Sequence, residues 1–435
     1  MLNIKKEPYL NISIFFISFI LTAIVVFSQL KNFPTFKSYA DSQSYILMAE
    51  GKLKGIPYYH IRRILHPYLV SRIRSFWGTD VSFLFIGILS IFIFIFIILR
   101  QLCYILKDKI IYCITLGFLP FIVYDFKCLY NPHLIFITLI GIYLMLIYRE
   151  KYMLSIIFLF LLFLTRDEAF FIMISFILSL LIKFYKEKNN YSYYAVLIFM
   201  AILTFLVSSL ILMNVMKYGQ NIHNLSYLYA GIIRIPLFFL RNFFGIRHWV
   251  DTYKELSFYT HPPLFYIDAP VWLKMHSRIS TIGIYEFSFS DILQNWLFIF
   301  SSLGIAPFFV YYLFKKRYFN ALDNSVLFNI CLFFGSISFL FATVSGPPDM
   351  RYYSHAWPLI LVMGYFLKKI FFENRVIIRK IIFIHILSSW IAYLFMDNIS
   401  IFNLFLLVIY EIVLYLYTWY ILNSFHKKYY VMKML

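Results

Sequence analysis

The chain has 435 residues, of which 62% are hydrophobic and 14% are charged. In a typical soluble domain about a quarter of the residues are charged. This composition, with a mean hydropathy of +0.78, excludes an ordinary soluble protein. Much of the net charge of +19 lies in loops at the ends of apolar segments, where basic residues set topology and contact anionic lipids. The charge therefore does not indicate a nucleic-acid partner.

Apolar runs of about 20 residues recur along the chain, and each is long enough to cross a bilayer as a helix. The first run, Tyr9 to Leu30, lacks a small-residue cleavage site and is interpreted as a retained helix rather than a signal peptide. The expected fold class is all-α: a polytopic transmembrane helical bundle of about 11–13 spans, forming one integral-membrane domain over residues 1–435. The candidate spans are 9–30, 81–100, 110–124, 130–148, 153–165, 168–185, 192–215, 292–314, 325–345, 353–370, 376–396 and 400–422.

Two segments between spans are too long to be turns, residues 31–80 and residues 217–291, and both are expected to be external loops. In the first, Asp41 to Lys52 predicts a short helix, and Tyr59 to Trp77 predicts an amphipathic helix that lies in the membrane interface. The basic face of this second helix comprises Arg62, Arg63, His66, Arg72 and Arg74. Such a face attracts phosphate groups.

Basic residues are distributed unequally between alternate loops. With the N-terminus on the cytoplasmic side, the short outside hairpins carry only Lys127, Arg166 and Arg351, whereas the inside loops carry several basic residues each. This positive-inside pattern predicts that both termini are cytoplasmic. The expected location is a bacterial inner or plasma membrane, because abundant Ile, Lys, Phe, Tyr and Asn suit an AT-rich bacterial genome.

Three outside hairpins each place acid beside base. They contain Asp125 with Lys127, Arg166 with Asp167 and Glu168, and Asp349 with Arg351. Ionisable groups at a bilayer edge are costly unless they are paired or solvated, so their convergence with Asp41 on one face indicates a functional site. Carboxylates can withdraw a proton from a nucleophile, and guanidinium groups can hold a phosphate through paired hydrogen bonds.

Asp41 lies in the first external loop, and the interfacial helix after it reads Arg62-Arg63-Ile64-Leu65-His66-Pro67. In these features the chain resembles the GT-C superfamily of integral-membrane glycosyltransferases. The resemblance covers architecture over most of the chain, with its motifs concentrated in residues 39–72. It implies a GT-C-like fold, and an active site on the extracytoplasmic face that moves a sugar from a polyprenyl-phosphate-linked donor to a glycan, lipid or protein acceptor.

The resemblance also implies roles for single residues. Asp41 is expected to be the catalytic base, Asp125 a second catalytic carboxylate, and Arg351 the ligand of the lipid phosphate. The other expected substrate-binding residues are Arg62, Arg63, His66, Arg166, Glu168 and Tyr352. No residue is predicted to bind a metal. The chain lacks the Asp-x-Asp motif of some members of the superfamily, so a divalent metal stays open as a cofactor.

Each role has a structural alternative. Asp41 is also suited to cap the helix that follows it, since Asp is preferred at that position. Asp125 could form only a polar turn, Arg166 and Glu168 a structural ion pair, and Arg351 a contact with Asp349, while the basic helix could contact lipid headgroups alone.

Two other functions stay open for the whole chain. One is an O-antigen-type polysaccharide polymerase, which also has about a dozen spans and arginine-rich external loops. The other is a non-enzymatic flippase or transporter of lipid-linked glycans. A transporter would place ionisable groups near the bilayer midplane and would often show two related halves.

Overall fold

The described part of the chain is a helical bundle, with one small sheet in the 217–291 segment. This computed structural model describes residues 7–38, 41–54, 56–106, 114, 116–117, 119–187, 191–217, 239–252, 265–268, 279–316, 325–344, 349–371, 375–394 and 401–434.

Ten α-helices lie in the described residues between Glu7 and Met216. They are α1 (Glu7–Gln29), α2 (Ser42–Ala49), α3 (Tyr58–Ile61), α4 (Leu65–Trp77), α5 (Thr79–Leu106), α6 (Leu119–Lys127), α7 (His133–Tyr148), α8 (Tyr152–Phe163), α9 (Ala169–Glu187) and α10 (Tyr191–Met216). A 3₁₀ helix, Leu30–Ser38, continues directly from α1 and leads toward Asp41.

The second half begins with the strands and ends with helices. The strands are β1 (Ile246–Thr252), β2 (Phe265–Asp268) and β3 (Ile279–Phe287). The helices are α11 (Phe289–Leu303), α12 (Ala306–Lys316), α13 (Val326–Val344), α14 (Met350–Ser354), α15 (Pro358–Phe371), α16 (Arg375–Leu394) and α17 (Ile401–Met434).

Among the described residues, six helices are long and apolar enough to cross a membrane: α1, α5, α10, α13, α16 and α17. A seventh span is obtained if α11 and α12, which meet at an angle of 90°, are counted as one broken helix. Four shorter apolar helices, α7, α8, α9 and α15, accompany them. These helices support a multi-pass membrane protein, while the larger span count and the membrane orientation expected from the sequence stay predictions.

Helix α5 lies at the centre of the N-terminal part, where it packs against α1, α4, α7 and α15. The contact with the start of α15 is aromatic, since the rings of Phe94 and Trp357 meet edge to face at 5.3 Å. Helix α13 joins α9 to α15, and α11 joins α16 and α17. The outward faces of α1 and α17 are apolar, as expected for helices solvated by lipid; Phe19 and Leu416 are examples.

The amphipathic helix predicted over Tyr59 to Trp77 is broken in two, so this prediction was wrong in detail. The chain forms α3, turns at residues 62–64, and begins again as α4. Pro67 explains the break, because it has no N–H to donate to the carbonyl of Arg63 and is tolerated only in the first turn of a helix. The turn carries Arg62 and Arg63, which a continuous helix would have placed on a single face.

The segment 217–291 was expected to be a long external loop. Its described residues include an antiparallel sheet of strand order β1-β3-β2, in which Ile246 is opposite Phe287 and Phe265 is opposite Tyr285. The remaining residues of that segment lie outside the described ranges. The bundle itself is helical, as predicted, and the sheet is confined to this segment.

Two glycines in spanning helices provide a matched test of the packing. A Cβ at Gly335 on α13 would lie 2.7 Å from Leu359 Cδ2 and 3.2 Å from the Leu359 backbone nitrogen, whereas a Cβ at Gly87 on α5 would meet Leu129 Cβ at 3.6 Å. Alanine is about 1 kcal/mol better than glycine within a helix, and overpacking a tight contact costs about 1–3 kcal/mol. We expect Gly335→Ala to lower stability and Gly87→Ala to leave it equal or higher.

Thermal unfolding of both purified variants in the same detergent measures this difference. Equal midpoints for the two variants would show that α13 and α15 do not approach each other at Gly335 as described.

Candidate functional site

Asp41 occupies the position immediately before α2, yet its side chain does not cap that helix. Only its backbone carbonyl serves the first turn, accepting from the Ser44 amide at 3.0 Å. The carboxylate turns instead to His60, whose Nε2 lies 3.2 Å from Asp41 Oδ2. The geometry therefore does not support capping as the role of this side chain. With 44% of the side chain exposed, the carboxylate is open to an approaching molecule.

Positive charges surround Asp41. Burial by itself raises the pKa of Asp41, but the hydrogen bond and charge of His60, followed by the charges of Arg63 and Arg351, outweigh it and hold the pKa below its ordinary value. The carboxylate is therefore ionised at neutral pH. These couplings also place residues from α3, the following turn and α14 around one carboxylate.

The turn that carries Arg62 and Arg63 is fixed to the hairpin between α8 and α9. The first amide of α4, that of Leu65, donates to the carbonyl of Leu164 at 3.1 Å, which satisfies a group that a helix start leaves without a helical partner. Arg62 forms an ion pair with Asp167 at 2.6 Å, and both side chains are partly exposed. These contacts hold the basic turn and the acidic hairpin side by side.

Arg63 points toward α2. Its Nη1 donates to the hydroxyl oxygen of Tyr45 at 3.1 Å, and Tyr45 is fully buried. Tyr45 follows Asp41 by four residues and therefore lies on the same side of α2. The guanidinium group of Arg63 is thus positioned near Asp41 by a contact with a rigid, buried ring.

Beneath this surface lies a buried ion pair between Arg166 and Glu168. Arg166 Nε and Nη2 donate to the two carboxylate oxygens of Glu168 at 3.0 and 2.6 Å, and the side chains are only 2% and 7% exposed. Burial raises the pKa of Glu168, but the paired guanidinium outweighs it, so the pKa lies well below its ordinary value. Each residue supplies the counter-charge that the other needs in a dry environment.

Two histidines complete this buried layer. The Nη1 of Arg166 donates to the ring of His133 at 2.7 Å, and His133 Nδ1 lies 3.1 Å from His355 Nε2. His355 Nδ1 is also 3.8 Å from a Glu168 oxygen. Burial, followed by the charge of Arg166, lowers the pKa of His355 to about 3, so this ring is neutral at physiological pH. The network therefore links the starts of α7, α9 and α15 with one net-neutral ion pair.

Arg351 is held by its own neighbour. Asp349 caps α14 by accepting from the Arg351 amide at 2.9 Å, and the Arg351 guanidinium donates to Asp349 Oδ2 through Nε at 2.8 Å and through Nη2. The alternative expected from the sequence, a contact between these two residues, is therefore present. It also orients the guanidinium group, whose charge reaches Asp41.

Asp125 lies deeper than the sequence suggests. It is fully buried on α6, next to the Ser354 hydroxyl. That hydroxyl donates to the Arg351 carbonyl at 2.8 Å. Neither carboxyl oxygen of Asp125 has a partner in hydrogen-bond geometry. Burial raises the pKa of Asp125 to about 8. A fully buried carboxyl group is not open to an approaching acceptor hydroxyl in this arrangement, and the catalytic role expected for Asp125 stays a prediction.

His66 is likewise buried, against the ring of Phe83 at 5.0 Å, and burial lowers its pKa to about 3. The predicted basic face therefore lacks a charge at His66.

The predicted site residues fall into two layers, a surface layer and a buried layer. The surface layer contains five half-buried residues, Asp41, Arg62, Arg63, Arg351 and Tyr352, and the buried layer contains His66, Asp125, Arg166 and Glu168.

Sequence reasoning missed Tyr45, His60, His133 and His355. The spacing of four residues between Asp41 and Tyr45 was the available signal for Tyr45, since it places both on one helical side. His60 lies in α3, two residues before Arg62 in the turn that follows. No periodic pattern in the sequence shows that His60 approaches Asp41. The contact between His133 and His355 joins positions 222 residues apart and leaves no local trace.

Among the described residues, no group of three or more His, Cys, Asp or Glu side chains could hold a metal ion. The divalent metal left open by the sequence therefore has no ligand set in this part of the chain. The arginines are the groups here that can neutralise a phosphate.

The chain matches no protein-family model, no curated protein and no solved structure. The family resemblance of its sequence therefore stays a prediction.

The buried ion pair can be tested by removing one or both charges. We expect Arg166→Met to destabilise the protein by about 3–5 kcal/mol, because Glu168 is left buried without a counter-charge. The double variant Arg166→Met/Glu168→Met should recover part of this loss, since no buried charge remains. Arg62→Met, at the exposed pair with Asp167, is the control and should cost at most about 1 kcal/mol.

Thermal unfolding of the four proteins at pH 7 gives the comparison. Losses for Arg166→Met no larger than those for Arg62→Met would contradict a buried, mutually dependent pair.

Proposed function

We propose that this protein is an integral-membrane glycosyltransferase of the GT-C type, which moves a sugar from a polyprenyl-phosphate-linked donor to an acceptor hydroxyl outside the cytoplasm. The observation that carries the proposal is the Asp41 carboxylate, which is partly exposed, does not cap α2, and lies near His60, Arg63 and Arg351. One carboxylate among several cations is suited to a reaction that withdraws a proton and releases a phosphate.

In this reaction the acceptor hydroxyl approaches Asp41, and its proton passes to the carboxylate as the oxygen attacks C1 of the sugar. The bond between C1 and the phosphate oxygen breaks, and its electron pair leaves with the polyprenyl phosphate. Arg63 and Arg351 stabilise the charge that develops on that phosphate, because both guanidinium groups are already oriented, by Tyr45 and by Asp349. His60 keeps the carboxylate ionised and directed away from α2.

An apolar groove supports the lipid part of the proposed donor. It lies between α1 and α5, has a volume of about 330 Å³, and is lined by side chains that include Phe19, Phe27, Phe85 and Phe92. Its end at Phe27 and Phe85 faces the Asp41 end of the bundle, because Phe27 precedes the 3₁₀ helix that leads to Asp41. A prenyl chain seated there would place its phosphate at headgroup level, near the arginines.

The direct test is transfer by the purified Asp41→Asn protein, with labelled polyprenyl-phosphate sugars as donors. Loss of a general base lowers the rate by about 10²–10⁴-fold. Glu50→Gln is the matched control, because Glu50 directly follows the same helix α2. Its carboxylate pairs with Lys52 at 2.8 Å and does not pair with Asp41 or the arginines around it. We expect Glu50→Gln to retain activity and Asp41→Asn to lose it. Equal activity of the two variants would remove Asp41 as the base.

Transport of a lipid-linked glycan is a second candidate function, and one observation favours it. Gly304 follows the last residue of α11 with a φ of +50°, and α12 leaves at 90°, which is typical of the broken helices that line transporter sites. Close by, the Tyr415 hydroxyl donates to the Gly304 carbonyl at 2.6 Å. The buried Glu411, one turn away on α17, accepts from Ser388 at 2.6 Å.

Glu411→Gln separates the two functions. If the protein transports lipid-linked glycans, this variant should reduce the movement of a labelled lipid across proteoliposomes while Asp41→Asn leaves it intact. If the protein is a glycosyltransferase, sugar transfer should survive Glu411→Gln. Transfer that fails in Glu411→Gln and persists in Asp41→Asn would contradict the proposed function.

A further inference from the structure

A polar cavity lies at the end of the bundle opposite Asp41. It has a volume of about 240 Å³ and is lined where α5, α7 and α15 end and where α8 and α13 begin. Asp80 starts α5 on the Asp41 side, and Ile105 lines this cavity 25 residues later, so the two ends are separated by about 37 Å of helix. The cavity is therefore independent of the candidate glycosyltransferase site.

Two lysines give the cavity its charge. Lys183 on α9 and Lys368 on α15 both line it, and the Lys183 side chain is only 18% exposed. The ammonium group of Lys183 lies 5.8 Å from the ring centres of Tyr152 and Tyr194. Aromatic faces of this kind hold a cation in place without neutralising it. Two basic side chains thus line one small, partly enclosed space.

The first turn of α13 adds to the positive potential. Ser325, Val326 and Leu327 line the cavity, and the Ser325 hydroxyl caps the helix by accepting from the Phe328 amide at 3.2 Å. The N-terminus of a helix carries partial positive charge and presents amide donors to anions. This helix is 19 residues long, and its dipole acts together with the two lysines rather than alone.

One carboxylate stands at the rim. Glu150 has a backbone φ of +56°, the left-handed region that a non-glycine residue rarely adopts, in the tight turn between α7 and α8. Its carboxylate lies 4.0 Å from the Lys183 ammonium, the limit of an ion pair, and the side chain is 74% exposed. Glu150 is therefore a weakly held counter-charge that an incoming anion can displace.

We propose that this cavity binds a phosphate group, held by Lys183, Lys368 and the first turn of α13. The shared chemistry is a phosphate monoanion or dianion, and it has two sources: the headgroup of an anionic phospholipid such as phosphatidylglycerol, or free soluble phosphate. The apolar side chains at the cavity, Ile105 and Ile147 among them, suit the glycerol and proximal acyl carbons of a lipid. A phosphate here anchors six helix ends at the membrane surface opposite Asp41.

The test measures phosphatidylglycerol retained by purified proteins from mixed vesicles of phosphatidylglycerol and phosphatidylcholine, by native mass spectrometry. Loss of both positive charges in Lys183→Gln/Lys368→Gln should lower retention by at least about tenfold. Lys380→Gln is the matched control, since Lys380 lies on neighbouring α16, is exposed and does not line the cavity. Glu150→Gln should retain as much lipid as the unmodified protein, or more.

A second arm uses inorganic phosphate alone, with thermal unfolding compared at matched ionic strength in chloride. Stabilisation by phosphate without preferential lipid retention identifies the soluble source, and preferential lipid retention identifies the headgroup; both must be lost in the double variant. The single variant Lys368→Gln replaces the double variant if the latter does not fold. Equal lipid retention by the unmodified, Lys380→Gln and lysine-depleted proteins, with no response to phosphate, would overturn the proposal.

Discussion

The architecture of the Asp41 end depends on one requirement: charges at the edge of an apolar bundle must be paired or reach water. Arg166 and Glu168 meet it in the interior, where two direct hydrogen bonds join the guanidinium to the carboxylate. Neither residue could be buried alone without a large desolvation cost. Because the pair sits at the hairpin between α8 and α9, it stabilises the hairpin that holds the start of α4.

The surface layer follows from this buried one. The hairpin places Asp167 where Arg62 can pair with it, and places the Leu164 carbonyl where the start of α4 can donate to it. The turn between α3 and α4 is thereby held with Arg63 directed at Tyr45, and His60 at the end of α3 reaches Asp41. A buried ion pair thus helps to position the partly exposed Asp41 carboxylate, which is the arrangement that the proposed catalysis requires.

Much of the fold could be predicted from the sequence, and so could the presence of charged residues from distant segments at one end of the bundle. Long apolar runs predict spanning helices, since no other element satisfies a backbone in lipid. The acid–base hairpins and Asp41 were expected to converge on one face, and in the structure Arg62 pairs with Asp167 and the charge of Arg351 reaches Asp41. Charge alone does not show depth, however, and Asp125 and Arg166 were assigned to a surface when they are buried.

Other features could not be predicted because they depend on three-dimensional packing. The apolar periodicity continues through residues 62–64, so Pro67 is the only local signal in the sequence for the break before α4. Helical spacing could have indicated Tyr45, but the approach of His60 to Asp41 is a tertiary contact. The sequences of the three strands that form the sheet lacked an alternating pattern strong enough to distinguish them from a loop.

The measurement that tests the central claim most directly is the structure of the complex with a polyprenyl-phosphate-linked sugar. We predict that phosphate oxygens lie within hydrogen-bond distance, about 2.7–3.2 Å, of Arg63 or Arg351, that the sugar C1 faces Asp41, and that the prenyl chain enters the groove between α1 and α5. Binding of that phosphate elsewhere in the bundle, near the broken helix at Gly304 for example, with Asp41 distant from the sugar, would contradict the account.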